Sequence, residues 1–250
     1  MKIIRFSHKG QNHYGWINEG EVGLIEGDIF SEFRRLETDL NVERVRLLTP
    51  VTPGKIICIA RNYEEHAREH QVEIPEYPMI FLKPPSALIS NGEAIQIPPQ
   101  SSQVEHEAEL AVVIGKRGKW IEPGNVDKCI LGYTIANDVS ARDLQYKDGQ
   151  WTRAKGFDTF CPLGPWFETE LDPSDLMISC RVNGELRQMS STKEMIFPVS
   201  QLVSYISSIM TLEPGDVILT GTPAGVDKLE AGDNVEISIE GIGSLINPVI

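Results

Sequence analysis

Two glutamates one residue apart, Glu107 and Glu109, open onto an apolar run, Leu110-Ala111-Val112-Val113-Ile114. In a strand, alternate residues share a face. Glu107 and Glu109 then point the same way as Ala111 and Val113, while Ala108, Leu110, Val112 and Ile114 point the other way. Carboxylates this close repel unless a cation lies between them. Hard divalent ions such as Mg²⁺ and Mn²⁺ take oxygen ligands of this kind. Taken alone, the stretch also reads as a solvated strand end, with Glu105, His106, Glu107 and Glu109 all in water. Asp138 ends a second apolar run just before a predicted helix. There it reads either as a third oxygen ligand or as a capping aspartate.

Further residues could act on a small anion. Arg142 and Gln145 are three apart and share a helix face, and arginine can grip a carboxylate with two parallel hydrogen bonds. Lys155, among small and apolar neighbours, reads as a buried charge that stabilises an enolate or as an ordinary snorkelling lysine. Residues 62–70 are charged nearly all round and predict a weakly held helix, either a solvated surface helix or a lid. On it, His66 and Glu69 are three apart, so the glutamate can orient an imidazole that takes a proton from water. The loop Gly221-Thr222-Pro223-Ala224-Gly225 could offer backbone N–H groups and the Thr222 hydroxyl to an anion, or be a plain turn.

The elements that must position these residues are mostly strands. Residues 55–60, 79–83, 110–115, 129–137, 176–182, 217–220 and 235–239 are short apolar or alternating runs bounded by Gly, Pro, Asn or Asp. Three more strands are expected at 3–6, 14–17 and 22–25. Helices are few: 62–70 with Asn62 as N-cap, 140–147 with Ser140 as N-cap, and an amphipathic 198–210. Strands and helices do not alternate, which argues against a doubly wound parallel sheet. The expected fold is mainly β with few helices (α+β), a mixed β-roll or sandwich. The Pro- and Gly-rich stretch 48–54 reads as a connector, dividing a small N-terminal β-rich domain (1–50) from the main domain (51–250).

Composition narrows the partners. A net charge of −13 over 250 residues argues against nucleic acid and anionic membrane. An anionic substrate would therefore need local positive charge from a metal, Lys or Arg. Cys58, Cys129, Cys161 and Cys180 form no close pair or zinc pattern, and read as unpaired thiols in a reducing compartment. No secretory signal or stretch of about 20 apolar residues is found, so the expected location is the cytoplasm.

The order of these blocks along the chain resembles the fumarylacetoacetate hydrolase family over residues 50–250. The matching blocks are 53–58, Arg61-Asn62-Tyr63 with His66, Phe81-Leu82-Lys83-Pro84, 106–109, 137–143, 154–158, 212–223 and 243–247. The resemblance implies a β-roll core, usually homodimeric, with one Mg²⁺ or Mn²⁺ per chain on Glu107, Glu109 and Asp138. It implies Lys155 as enolate stabiliser, Arg142, Gln145 and Thr222 as substrate contacts, and His66 with Glu69 as a water-activating pair on a lid. Ala60 departs from the family pattern, which has Gly there, and so bears on the lid hinge. The implied activity is metal-dependent chemistry on a small 2-oxo acid through an enolate: C–C hydrolysis of an acylpyruvate or decarboxylation of oxaloacetate. The alternatives are isomerisation of a hydroxymuconate-type diacid and a non-catalytic metal-binding scaffold.

Overall fold

A computed structural model of the chain describes residues 1–250 except His70 and Val72. The N-terminal strands are β1 (Lys2–His8), β2 (Gln11–Asn18), β3 (Glu21–Gly27), β4 (Phe33–Asn41) and β5 (Arg46–Leu48). There follow β6 (Ile56–Ala60), helix α1 (Glu64–Glu69), β7 (Met79–Lys83), β8 (Leu88–Ile89), β9 (Val104–Glu105) and β10 (Ala108–Ile114). Next come β11 (Ile130–Asn137), β12 (Ser140–Ala141), α2 (Arg142–Asp148), α3 (Thr152–Lys155) and β13 (Cys161–Glu168). The chain ends with β14 (Met177–Val182), β15 (Glu185–Ser191), α4 (Val199–Ile209), β16 (Val217–Leu219), β17 (Asn234–Ile239) and β18 (Gly243–Pro248).

The architecture is mostly β, as expected. A large mixed sheet runs β4-β3-β2-β1-β13-β11-β10-β16-β6-β7, and a four-stranded sheet runs β15-β14-β17-β18. Segment 1–50 joins the large sheet through the β1–β13 ladder, with Lys2 opposite Glu168. The alternation expected for β10 holds. Ala108, Leu110, Val112 and Ile114 pack with Ile178, Ile237 and Leu245 of the second sheet and with Leu202 and Ile206 of α4. Ala111 and Val113 pack on the opposite side with Ile56, Cys58, Leu163 and Phe167. The sheet is thus buried on both faces here, which is why its central strands are near-continuously apolar.

Register brings the chemistry to one edge. β10 and β11 are antiparallel, with Ala108 opposite Asn137, so the start of β10 meets the end of β11. β16 is antiparallel to β10, with Leu219 opposite Ala111, and β6 is parallel to β16, with Cys58 opposite Leu219. Four neighbouring strands therefore deliver Glu107, Asp138, the 220–225 loop and Arg61 to the same side.

The helix ends differ from the sequence expectation. α1 starts at Glu64, and His70, its expected last residue, lies outside the described residues. Asn62 is not a cap. Its Oδ1 accepts from Phe197 N–H (2.8 Å), and its Nδ2 donates to the carbonyls of Phe197 and Thr220. Ser140 is in β12, paired with Glu105 of β9. Ala60 sits in β6 opposite Met79, and the left-handed residue is its neighbour Arg61, at φ +56°. The four cysteines are free, and no described helix is long and apolar enough to cross a membrane.

Candidate active site

Glu107 and Asp138 face each other across the β10–β11 end. The Asp138 N–H donates to the Glu107 carbonyl and the Glu107 N–H to Asn137 Oδ1, both at 2.9 Å. Glu109 follows on the same face. Carboxylate oxygens of Glu107, Glu109 and Asp138 lie within 4.8 Å of one another, and the three residues are at most 5% exposed. Glu105 and His106 are buried as well, so the solvated-strand-end reading does not hold.

Fixed donors orient this cluster. Lys155, at the end of α3, donates to Glu107 Oε2 and Asp138 Oδ2, both at 2.7 Å. Lys83, at the end of β7, donates to Asp138 Oδ1 (2.6 Å) and to the Val139 carbonyl. Arg142, first residue of α2, donates Nε to Glu105 (2.7 Å), Nη1 to Gln145 (2.6 Å) and Nη2 to Glu107. Ser140 Oγ donates to Glu107 at 3.0 Å. Glu109 accepts from the Gly221 N–H at 2.6 Å. Gly221 has φ +95°, and a Cβ there would lie 2.7 Å from the Cβ of Asn62, so only glycine brings this N–H so close.

The charges decide what else can bind. Burial pushes Glu107 up, but Lys155 and Arg142 outweigh it and hold the carboxyl well below the usual range. Burial, then Asp138 and Glu107, push Glu109 well above that range. Lys83, Arg142 and Lys155 are paired with Glu105, Glu107 and Asp138, whereas the surroundings of Glu109 favour its protonated form. A divalent ion that displaced a proton from Glu109 would add one positive charge to the site, which suits an anionic substrate. The donor set fits a hard cation: all oxygen, buried, and with lone pairs beyond those the donors use. Metal affinity should therefore rise with pH by up to about tenfold per unit below the Glu109 pKa. Titration calorimetry with Mg²⁺ or Mn²⁺ in two buffers of different ionisation enthalpy should show proton release. An affinity independent of pH would contradict this.

Beside the carboxylates lies a small cleft lined by His66, Glu107, Arg142, Gln145, Lys155 and Thr222 among others. Six of the nine residues singled out in the sequence thus share one surface, and Glu69 stands behind His66. The His66 Nδ1 is 3.4 Å from Glu69 Oε2, and the Glu69 carboxylate accepts from the Gly225 N–H at 3.1 and 3.2 Å. α1 is docked rather than solvated: His66 and Ala67 are buried, while Glu64, Glu65 and Arg68 face out. The 221–225 loop does present N–H groups to anions, but the anions they meet are the protein's own Glu109 and Glu69.

Sequence reasoning gave no part in the site to Lys83, Glu105, Ser140 or Gln188. Gln188 is fully buried in β15. Its Oε1 accepts from the Ala108 N–H (3.0 Å) and its Nε2 donates to the Pro223 carbonyl (2.8 Å). A pure donor on one side and a pure acceptor on the other fix the amide's orientation. Nε2 therefore donates to Thr222 Oγ1 (2.8 Å), and the Thr222 proton is left to point elsewhere. The one available signal was Lys83, a lysine closing an apolar strand much as Lys155 closes its own segment.

Comparison with known proteins gives the same picture. Residues 55–250 match the family described as fumarylacetoacetate (FAA) hydrolase C-terminal, and residues 1–50 match Rv2993c-like, N-terminal. A mitochondrial oxaloacetate tautomerase of Rattus norvegicus is 46% identical over 287 residues, covering 100% of this chain and 92% of its own. The structure of a 2-hydroxyhepta-2,4-diene-1,7-dioate isomerase from Mycobacterium marinum is 43% identical, with a TM-score of 0.93, covering 100% of this chain and 98% of its own. That of a fumarylacetoacetate hydrolase from Exiguobacterium antarcticum is 37% identical, with a TM-score of 0.91, covering 100% and 99%. The buried acidic cradle, the cleft beside it and these full-length matches lead to one assignment: the chain belongs to the fumarylacetoacetate hydrolase family.

Proposed function

We propose that the protein catalyses metal-dependent enolisation of small 2-oxo acids, with keto–enol interconversion of oxaloacetate as the leading reaction. The observation that carries this is Lys155: a buried ammonium pinned to two carboxylates that lines the same cleft as His66. Mg²⁺ or Mn²⁺ held by Glu107, Glu109 and Asp138 would supply Lewis acidity toward the oxygens of the 2-oxo acid. Burial pulls the Lys155 pKa down, but Asp138 and Glu107 raise it above the ordinary value, so Lys155 is a donor and not a base. Its fixed charge stabilises the oxyanion that forms at C2. His66 moves the proton at C3 through Nε2, because Nδ1 faces Glu69. Thr222 donates its hydroxyl proton to the substrate carboxylate. Arg142, with three of its five N–H donors engaged, offers the others beside Gln145. The sequence relatives named tautomerase and isomerase support this reading.

The test follows the enol absorbance of oxaloacetate with purified protein, with Mg²⁺ or Mn²⁺ and again with EDTA. Metal-dependent acceleration of the approach to equilibrium is expected, and an unchanged rate would sink the proposal. A coupled assay for pyruvate separates tautomerisation from decarboxylation. His66→Ala should lower the rate about 10²–10⁴-fold, the usual worth of a positioned acid–base group.

A second reading, C–C hydrolysis of an acylpyruvate, is favoured by the anchoring of Glu69 between His66 and Gly225, a base–acid pair suited to activating water. Release of pyruvate from an acylpyruvate faster than oxaloacetate tautomerises would make hydrolysis the primary activity.

A further inference from the structure

Three cations line the cleft besides His66: Arg61, Arg142 and Lys155. Arg142 and Lys155 are bound to buried carboxylates, as is Lys83 beneath them. Arg61 is half-buried, yet its side chain makes no hydrogen bond or ion pair with any described residue. The chain has 36 acidic residues against 23 basic ones, so an arginine left unpaired is not for want of carboxylates.

The backbone adds a second observation. Arg61 has φ +56°, a strained conformation for a non-glycine residue that persists only where the surroundings impose it. They do so on both sides. Ala60 is held in the β6–β7 ladder opposite Met79, and the Asn62 side chain is tied to Phe197 and Thr220. The residue is thus fixed at the cleft with its guanidinium uncommitted. That group is always charged and matches a carboxylate with two parallel N–H donors.

We propose that Arg61 is a specificity residue that takes the second carboxylate of a 2-oxo diacid, so that the site favours dianionic over monoanionic 2-oxo acids. The first carboxylate and the 2-oxo group are served by Lys155, Thr222 and the acidic cradle, and Arg61 lies outside that set. The inference rests on the enolisation reading above, and the experiment separates the two.

The measurement is kcat/KM for oxaloacetate tautomerisation and for solvent deuterium exchange into the methyl group of pyruvate, both with Mg²⁺. Wild type should prefer oxaloacetate. Arg61→Gln should lower that preference about 30-fold, mostly through KM, the usual worth of a charge-assisted bond. Arg61→Lys should recover part of it. Arg61→Gly is the companion variant, because glycine adopts this φ without strain and keeps the fold while removing the guanidinium. Preference ratios for R61Q and R61G within about threefold of wild type would overturn the assignment. Turnover of neither substrate by wild type would instead overturn the enolisation reading, and the assignment with it.

Discussion

Replacing Lys155 with methionine will lower kcat for enolisation by about 10²–10³-fold, the usual cost of removing one preorganised donor at a developing oxyanion. The same change will destabilise the metal-free protein by about 3–5 kcal/mol, because Glu107 and Asp138 lose the cation they share inside the fold. The two effects should separate. An added divalent ion gives the same carboxylates a new counter-charge, so the loss in melting temperature should be smaller with Mg²⁺ than with EDTA. The loss in kcat should remain, because the ion does not replace a donor at the position of the ammonium. Melting curves and steady-state rates for K155M, each with and without metal, test both halves. A kcat within tenfold of wild type would show that the ammonium serves the fold and not the reaction.

Glu109→Gln should act in the opposite direction on stability. Burial, with Asp138 and then Glu107, raises the Glu109 pKa, so its charged form opposes folding when no metal is present. The sign follows from the raised pKa: the folded state binds this proton more tightly than the unfolded chain. Its contribution is fully present below the unfolded carboxyl pKa and is lost as pH rises through the folded one. Glutamine keeps an oxygen for the Gly221 N–H and carries no charge. In EDTA, E109Q should therefore melt at or above the wild-type temperature, with the gap widening as pH rises. With Mg²⁺ or Mn²⁺ the order should reverse, because the variant lacks one ligand. Metal affinity should fall on the order of 10²-fold or more, and turnover should fall with it. A variant that melts well below wild type in EDTA would mean that Glu109 is ionised and satisfied without a metal.

Much of the site was legible because its residues obey strand periodicity. The alternation from Glu107 to Val113 puts two carboxylates on the face that continues as Ala111 and Val113, and the end of the β11 run puts Asp138 beside them, which is where the three side chains lie. Other features depend on pairings that local sequence does not encode. Asn62 and Ser140 look like helix caps because short polar side chains before a charged helix usually are caps. Both are drawn instead to partners distant in sequence, Phe197 and Thr220 for one and Glu107 for the other. β13 was hidden by Pro162 and Pro165, which argue against a central strand. Its ladder with β11 is irregular between Tyr133 and Ile135, and Pro165 falls within that irregularity, while Pro162 lies beyond it opposite Ile89 of β8. Gln188 carries no local signal, since its importance lies in what the fold sets beside it.

The convergence of β6, β10, β11 and β16 on one edge has a consequence for how activity appears during folding. β6 and β16 pair in parallel although more than half the chain separates them, and Arg61 and Thr222 meet at the cleft only after that pairing. Such long-range closures are slow and come at high entropic cost. No contiguous fragment holds a working subset of the site. Turnover should therefore emerge late in refolding, after most of the β-sheet circular dichroism signal has returned, so catalytic activity would report topological completion rather than collapse.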